Sequence, residues 1–424
     1  MKEKKTSHFI QNIIALLLSQ MMIKFLGMIY SLYLTNKSGF GDKGNAIFYS
    51  AYQVYVIFLT ISSIGIPNSI SKIIAEELAI GNIKESKRIL KLSLLIFGSL
   101  GLICSLVLYA FSSFIANSIL NIEEVELVLK LLAPSIFWIT LTSIFRGYFN
   151  GKRKIKISAR IQTIEQILKT MITLILVEFI AKLTNYNTEL MVVASTVSLV
   201  LASMLGFGCI VINFYKNERN EKNEYLYSND KLYMSIREIF TKIMYISIPI
   251  TISAFLVSIS KNIDSFSIMR LLGKIFSENE VKERYGILSS KVELLTIFPM
   301  ALNGSVALAI IPEISRINRL NKYNNMKKSV NFSILLTFLV SIPFMCIMFM
   351  YSNEIICFLY PNANKGGDLL RISSLSIVCL CLIQTLNGIL QGLRKNRYLY
   401  KSNWNRDYFK TYFEFLFNSN KRNL

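Results

Sequence analysis

The chain of 424 residues is 53% hydrophobic and only 17% charged, with a formal net charge of +21 at neutral pH. A soluble protein has roughly a quarter of its residues charged, so this composition excludes an ordinary set of soluble domains. An excess of Lys and Arg can indicate nucleic-acid binding. Here these residues stand between apolar blocks rather than on a polar domain, and no nucleic-acid partner is predicted.

Apolar blocks of about twenty residues recur along the chain, which is the length that crosses a hydrocarbon core of roughly 30 Å as a helix. A backbone in lipid must satisfy its own hydrogen bonds, so these blocks predict an all-α polytopic membrane protein. The first block is too long for a signal peptide and is interpreted as a retained span. In chain order, the ten predicted spans cover 9–34, 45–65, 89–114, 125–147, 160–181, 189–213, 240–260, 285–310, 329–351 and 367–391.

The basic residues predict the orientation of these spans. With the N-terminus inside, the predicted cytoplasmic segments hold 25 Lys and Arg and the outer segments hold nine. Cytoplasmic loops carry the excess of positive charge, so the N-terminus is predicted to be cytoplasmic. The predicted outer segments are 35–44, 115–124, 182–188, 261–284 and 352–366.

Two pairs of similar motifs divide the chain into halves. GYFNGKRK at 147–154 resembles GILQGLRK at 388–395, and IPNSISK at 66–72 resembles IPEISR at 311–316. The offsets nearly agree, which predicts a parallel repeat of a six-helix unit. The alternative is that cytoplasmic helix ends simply favour Gly, Pro and basic residues. The predicted organisation is a six-helix lobe at 1–213, a cytoplasmic linker at 214–238, a four-span lobe at 239–395 and a tail at 396–424.

No residue pattern indicates an enzyme. The single His8 lies near the N-terminus, and the six cysteines lie in or beside apolar blocks without metal or redox spacing. Neither a Walker A loop nor a dinucleotide fingerprint occurs. The sequence therefore predicts no catalytic residues, no metal site and no cofactor.

Five fragments in order along the chain resemble the multidrug/oligosaccharidyl-lipid/polysaccharide (MOP) flippase superfamily, in the branch of MurJ-like and stage V sporulation protein B-like polysaccharide biosynthesis proteins. The resemblance implies two six-helix lobes around a central cavity, of which the second is truncated here. It also implies a bacterial cytoplasmic membrane protein. The fragments are IKFLGMIYSLYL (23–34), FLTISSIGIPNSISKIIAEE (58–77), FRGYFNGKRK (145–154), NIDSFSIMRLLG (262–273) and FPMALNGSVALAIIPEIS (298–315).

Four residues are candidate substrate-binding groups. Lys24 lies midway along the first span, where a charge is costly and usually functional. The resemblance places Lys24 and Tyr30 at two arginines of the family pattern, so Tyr30 removes one cation. Lys291 lies one helical turn from the family's cavity arginine. Gln53 belongs to a polar and aromatic patch that is interpreted either as sugar-binding or as an interface belt.

Three further residues are candidates for gating or ion coupling. Glu293 is interpreted as a partner of Lys291 or as an ion-coupling carboxylate. Asp264 and Arg270 follow the seventh predicted span, either as a charge pair at a helix end or as an outer gate.

The predicted function is to flip an undecaprenyl-pyrophosphate-linked saccharide, such as lipid II or a polysaccharide or spore-cortex precursor, by alternating access. The predicted partners are therefore a lipid-linked oligosaccharide and anionic membrane lipids. A drug/cation antiporter of the same superfamily and a non-transporting scaffold for cell-wall synthesis enzymes are the alternatives. The polar, aromatic tail at 396–424 departs from the hydrophobic helices of the family, and we interpret it as the product of a frameshift near codon 395.

Overall fold

The computed structural model describes residues 19, 21–79, 81–152, 154–220, 234–319 and 323–393, and every regular element in these residues is helical. The tail at 396–424 and most of the predicted linker lie outside the described residues. Helix α1 covers 21–36. The others are α2 (Gly41–Leu59), α3 (Ile66–Ala79), α4 (Ile83–Phe114), α5 (Val125–Gly151), α6 (Ile155–Leu183), α7 (Thr188–Asn220), α8 (Ile236–Leu272), α9 (Glu278–Gly286), α10 (Glu293–Arg319), α11 (Tyr323–Met350), α12 (Ser352–Leu359), α13 (Gly367–Ser374) and α14 (Ser376–Gly392).

Among the described residues, seven helical segments are long and apolar enough to cross a membrane. An eighth results if α13 and α14, which meet at 42°, form one bent span. The prediction of an all-α polytopic membrane protein is confirmed. Eight of the ten predicted spans coincide with these segments. Of the other two, the span 9–34 is described only at residue 19 and over 21–34. The span 160–181 forms helix α6 but carries too many charges to pass as uniformly apolar.

The described part of the chain divides into two compact units. Unit 1 takes its residues from Met1–Tyr30 and Ser50–Asn262, and unit 2 from Ser31–Tyr49 and Ile263–Leu424. These bounds differ from those of the predicted lobes, because helix packing rather than loop polarity defines the units. Ile239 and Ile243 of α8 are fully buried in the hydrophobic cluster of unit 1, so the start of α8 belongs to that unit.

The two motifs of the first half pack together in unit 1. Gly147 and Gly151 of α5 face α3, and a Cβ at either position would come within about 3 Å of the α3 backbone at Pro67 and Ser71. Glycine at these positions lets the helices approach closely, as small residues do in membrane proteins. The two motifs of the second half, at 311–316 and 388–395, fall on α10 and at the end of α14 in unit 2. These two helices also pack together, through the cluster of Ile310, Ile314 and Ile389.

Unit 2 also contains a polar junction among α10, α11 and α14. Asn303 is fully buried, and its Nδ2 donates to the carbonyl of Cys381 at 2.9 Å and to Thr385 Oγ1 at 3.1 Å. Thr385 and Thr337 share a further hydrogen bond at 2.7 Å. Hydrogen bonds of this kind connect membrane helices where the hydrophobic effect offers little drive for association.

Candidate functional site

Helix α6 has a polar face and an apolar face on opposite sides. Four polar residues recur at spacings of three and four and therefore share one face: Gln162, Glu165, Gln166 and Lys169. The apolar stripe steps by four residues, with exposed fractions from 38% to 67%. In a membrane protein an exposed apolar stripe faces lipid, so the polar face is directed into the protein. The stripe consists of Ile167, Met171, Ile175, Phe179 and Leu183.

The polar face of α6 forms an ion pair with α5. Arg146 Nη2 donates to Glu165 Oε2 at 2.5 Å, and the two side chains are only 16% and 20% exposed. Gly206 of α7 lies against the same carboxylate, since a Cβ there would stand 3.2 Å from the carboxyl carbon. A larger residue at 206 would therefore press directly on the ion pair.

Lys169 lies one turn further along α6 than Glu165. Its Nζ stands 4.6 Å from the centroid of the Tyr30 ring, in cation–π geometry. We call Tyr30, Arg146, Glu165 and Lys169 the unit 1 ion cluster. At neutral pH it holds two cations and one carboxylate, so one positive charge is in excess. A charge inside a membrane protein is costly and usually marks a binding or transport path.

Helix α1 lies beside α6 and runs parallel to it. Ser19 Oγ donates to the carbonyl of Ala159 at 2.9 Å, a Cβ on Gly27 would lie 3.8 Å from Gln166, and Tyr30 reaches Lys169. The residue numbers rise together along both helices. Parallel membrane helices begin on the same side, as the predicted first and fifth spans do.

A second charged group lies in unit 2, where a π-helical turn over Ile287–Val292 leads into α10. Lys291 belongs to this turn and is fully buried. Its Nζ donates to Asp42 Oδ2 at 2.8 Å, to the carbonyl of Ala363 at 2.5 Å and to the carbonyl of Lys365 at 3.1 Å. An ammonium group has three donors, and all three are used here. We call Asp42 and Lys291 the unit 2 ion pair.

The surroundings of the unit 2 ion pair are tightly packed. A Cβ on Gly286 would lie 2.0 Å from the carbonyl oxygen of Asp42, so only glycine fits there. The Tyr360 ring lies 5.5 Å from the Lys291 ammonium, and burial raises the pKa of this phenol. These contacts favour a structural role for the pair.

Three of the predicted outer segments meet around the unit 2 ion pair. Asn36 Nδ2 donates to the carbonyl of Leu359 at 2.8 Å, and Asn362 Nδ2 donates to the carbonyl of Asn36 at 2.9 Å. Lys365 Nζ donates to Glu283 Oε1 at 2.7 Å. Segments that meet in this way lie on one side of the membrane, as the alternation of spans requires of 35–44, 261–284 and 352–366.

Two of the predicted substrate-binding residues enter these charged groups. Tyr30 is buried and contributes its ring to Lys169, and Lys291 forms the unit 2 ion pair. Lys24 is exposed on α1. Gln53 is half-buried on α2, and its carbonyl accepts a hydrogen bond at 3.0 Å from Asn262 Nδ2.

The predicted gating residues lie on helices. Glu293 is the first residue of α10 and is half-buried. Asp264 and Arg270 belong to α8, which continues about three turns beyond its apolar span. The side chain of Asp264 lies outside the described residues, and Arg270 is exposed in the last turn of α8.

The sequence patterns do not single out Arg146, Lys169 or Asp42. Glu165 falls only five residues after the start of the predicted span at 160. Helix α6 begins at Ile155, so Glu165 lies almost three turns inside it. The spacing of Glu165 and Lys169 opposite an apolar stripe is the signal that could have found them. The partner across the helices, Arg146, has no local signal.

The structure defines an all-α polytopic membrane protein with charged side chains inside its spans. Residues 9–318 match the model of the polysaccharide biosynthesis protein family, and residues 249–400 match the MatE family model. The first match covers well over half of the chain, so the protein belongs to the polysaccharide biosynthesis protein family. The resemblance to the MOP flippase superfamily is thereby confirmed.

Similar curated proteins come from Bacillus subtilis (strain 168). The lipid II flippase MurJ is 21% identical over 407 residues, which are 93% of this chain and 74% of that protein. Stage V sporulation protein B is 23% identical over 360 residues, which are 84% of this chain and 68% of that protein.

Two solved structures show the fold. An inward-facing multidrug resistance MATE family transporter superposes with a TM-score of 0.67 at 14% identity, covering 93% of this chain and 87% of that chain. The lipid II flippase MurJ in an inward closed conformation gives a TM-score of 0.62 at 17% identity, covering 92% and 76%. At these identities the likeness extends to the fold alone.

Proposed function

We propose that this protein transports an undecaprenyl-pyrophosphate-linked saccharide across the bacterial cytoplasmic membrane by alternating access, without changing it chemically. The family and the relatives MurJ and stage V sporulation protein B support a lipid-linked saccharide as the substrate class. The N-terminus is cytoplasmic in this proposal, as the distribution of Lys and Arg predicts.

The observation that carries the proposal is the excess positive charge of the unit 1 ion cluster. Arg146 already has Glu165 as its counterion, whereas Lys169 contacts an aromatic ring. The ring stabilises the ammonium while leaving N–H donors for an anion. A pyrophosphate would neutralise the excess charge, and charge-assisted hydrogen bonds to it are stronger than neutral ones.

The residues predicted from the sequence have roles around this site. Lys24 is exposed on α1, the helix that carries Tyr30, and would attract the anionic headgroup before it reaches Lys169. Gln53 would donate to the sugar. The fully buried Lys291 would act indirectly by holding Asp42, and Glu293, Asp264 and Arg270 remain proposed for gating or ion coupling.

The test is rescue of cells depleted of their own lipid II flippase, with accumulation of lipid-linked precursor as the readout. The native chain should restore growth and lower the precursor pool. Lys169→Gln should fail at equal membrane abundance, because the amide keeps a polar side chain and loses the charge. Lys182→Gln is the matched control, since Lys182 is 71% exposed on the same helix.

The outcomes separate the substrate from the site. Rescue by the native chain and by both variants would support transport of the precursor and would contradict a role for Lys169 in it. Abundant protein that does not rescue would contradict lipid II as the substrate.

A cation antiporter is the second candidate function, because residues 249–400 match the MatE model and Glu165 lies inside the helices. Such a transporter needs a carboxylate that exchanges a proton or metal ion for its cargo. Glu165 is already paired with Arg146 and stands one turn from Lys169, which weakens attraction for a second cation. Protection of cells against cationic dyes, lost in Glu165→Gln, would favour this alternative.

A further inference from the structure

Unit 2 contains a cleft that the proposed transport mechanism does not use. Its volume is about 680 Å³, which lies within the usual range for small-molecule sites. It lies among the end of α8, helix α9, the π-helical turn and the start of α13. Its apolar lining includes Leu271, Leu272 and Leu369, and its charged lining includes Glu283, Arg284 and Asp368.

The wall of the cleft is apolar and continues onto the surface of unit 2. Leu271 and Leu369 line the cleft and are 39% and 38% exposed. Beside them, Ile275 and Ile372 are 67% and 69% exposed. Leu369 and Ile372 belong to the bent span formed by α13 and α14, so their part of the wall faces lipid. A hydrocarbon chain can therefore enter the cleft beside Leu369 and lie along this wall.

The rim of the cleft carries charges of both signs. Glu283 pairs with Lys365, and Glu280 accepts hydrogen bonds from the backbone and hydroxyl of Ser277 at the start of α9. The Arg284 guanidinium lies 4.0 Å from the centroid of the Phe276 ring, with its edge available to an anion. Asp368 is exposed in the first turn of α13. The lining therefore holds three carboxylates and two cations.

We propose that this cleft binds a zwitterionic aminophospholipid, phosphatidylethanolamine. Its phosphate would pair with Arg284, its ammonium would donate to Asp368 and Glu283, and one acyl chain would lie along Leu271, Leu272 and Leu369. The lipid has both charges that the rim complements. Phosphatidylcholine has a cation without N–H donors, and phosphatidylglycerol brings only negative charge to a rim with an excess of carboxylates.

A lipid in this cleft would contact the structure around Lys291. The Lys365 carbonyl accepts from Lys291, and the adjacent Gly366 stands against Ile287, with 2.5 Å between an added Cβ and that side chain. Bound lipid would thus hold the segment 363–366 in place. The site does not depend on which molecule the protein transports.

The experiment uses the full chain, delipidated in detergent and reconstituted in nanodiscs with equal amounts of phosphatidylethanolamine, phosphatidylcholine and phosphatidylglycerol. Native mass spectrometry then reports the lipid retained after release from the disc. One phosphatidylethanolamine per protein should be retained in preference to the other two. Arg284→Gln and Asp368→Asn should each lower this retention about tenfold, as expected for the loss of a charge-assisted hydrogen bond.

Arg371→Gln is the matched control, because Arg371 also lies over an aromatic ring, at 4.9 Å from the Phe349 centroid, but does not line the cleft. It should retain the lipid as the native chain does. Equal retention of the three lipids would overturn the proposal, and so would undiminished retention in both cleft variants. If phosphatidylglycerol is preferred instead, the charge assignment is wrong.

Discussion

Two lysines inside the helices of this protein have opposite surroundings. Lys291 in unit 2 is fully buried and donates to a carboxylate and two carbonyls, so its hydrogen-bonding capacity is exhausted. Lys169 in unit 1 is half-buried and rests on the Tyr30 ring, beside a carboxylate that Arg146 already holds. The first arrangement satisfies a buried charge, and the second leaves capacity for another anion.

The difference distinguishes a structural cation from a binding cation. Both lysines are costly in a membrane, so their presence alone indicates importance but not the kind of importance. The hydrogen-bonding partners of each lysine show which of the two roles it has. A fully partnered lysine should matter first for stability, and a partly partnered one for what the protein binds.

The largest effect is expected from Lys291→Met. The substitution leaves Asp42 buried without its cation, and removing one partner of a buried ion pair costs about 3–5 kcal/mol. Membrane abundance and the aggregation temperature of detergent-solubilised protein should both fall. Fluorescence-detected size-exclusion chromatography after heating measures this.

Lys365→Gln is the control for the stability of Lys291→Met, because Lys365 also forms an ion pair in unit 2. The Lys365 side chain is 69% exposed, and its hydrogen bond to Glu283 raises its pKa. An exposed ion pair contributes only about 0–1 kcal/mol, so this variant should remain near the native temperature. If Lys291→Met were as stable as Lys365→Gln, the structural role of Lys291 would be wrong.

The next effect in size is expected from Glu165→Gln. Neutralising this carboxylate frees Arg146 and raises the positive charge of the unit 1 ion cluster. Binding of a soluble pyrophosphate-sugar analogue should tighten by about tenfold, the size of one charge-assisted hydrogen bond. Isothermal titration calorimetry on purified protein measures the change.

Glu178→Gln is the control for this variant, since Glu178 lies on the same helix with its side chain 40% exposed. It should bind the analogue as the native chain does. Weaker binding in Glu165→Gln would contradict an anion site.

The fold could be predicted from the sequence more completely than the site could. Apolar blocks such as 89–114 and 329–351 fixed the helices, because lipid permits few other spanning structures. Helix α6 was also predicted, at 160–181, but its charged residues were not predicted as part of a site. The role of these charges follows from the helix face that they occupy. Helix α6 begins at Ile155, five residues before the predicted span, so Glu165 lies well inside the helix.

The ion pairs could not be predicted because their partners are far apart in the chain. Asp42 and Lys291 are separated by 249 residues, and only the fold brings them together. Tyr30 was identified through the family pattern, but its contact with Lys169 depends on α1 lying parallel to α6. Local sequence predicts the helices, whereas the side-chain pairs between helices are seen only in the tertiary structure.

A smaller effect is expected from removing the ring beneath Lys169. Tyr30→Leu eliminates the cation–π contact, which contributes about 0.5–2 kcal/mol, so precursor export should fall about two- to thirtyfold. Tyr30→Phe keeps the ring and should retain most of the activity. Precursor accumulation at matched abundance measures both variants. Equal loss in the two would show that the hydroxyl, rather than the ring, is the important group.

The smallest effect is expected from Lys24→Ala. Lys24 is exposed on α1, and charge interactions at exposed positions are worth about 0.2–1 kcal/mol because solvent screens them. Precursor export should therefore fall by at most about fivefold without a change in abundance, and Lys24→Arg should restore it. A loss from Lys24→Ala as large as that from Lys169→Gln would instead place Lys24 in direct contact with the transported anion, in water-poor surroundings. Lys24 would then be a binding cation like Lys169, and its exposure in this structure would not describe its surroundings when the substrate is bound.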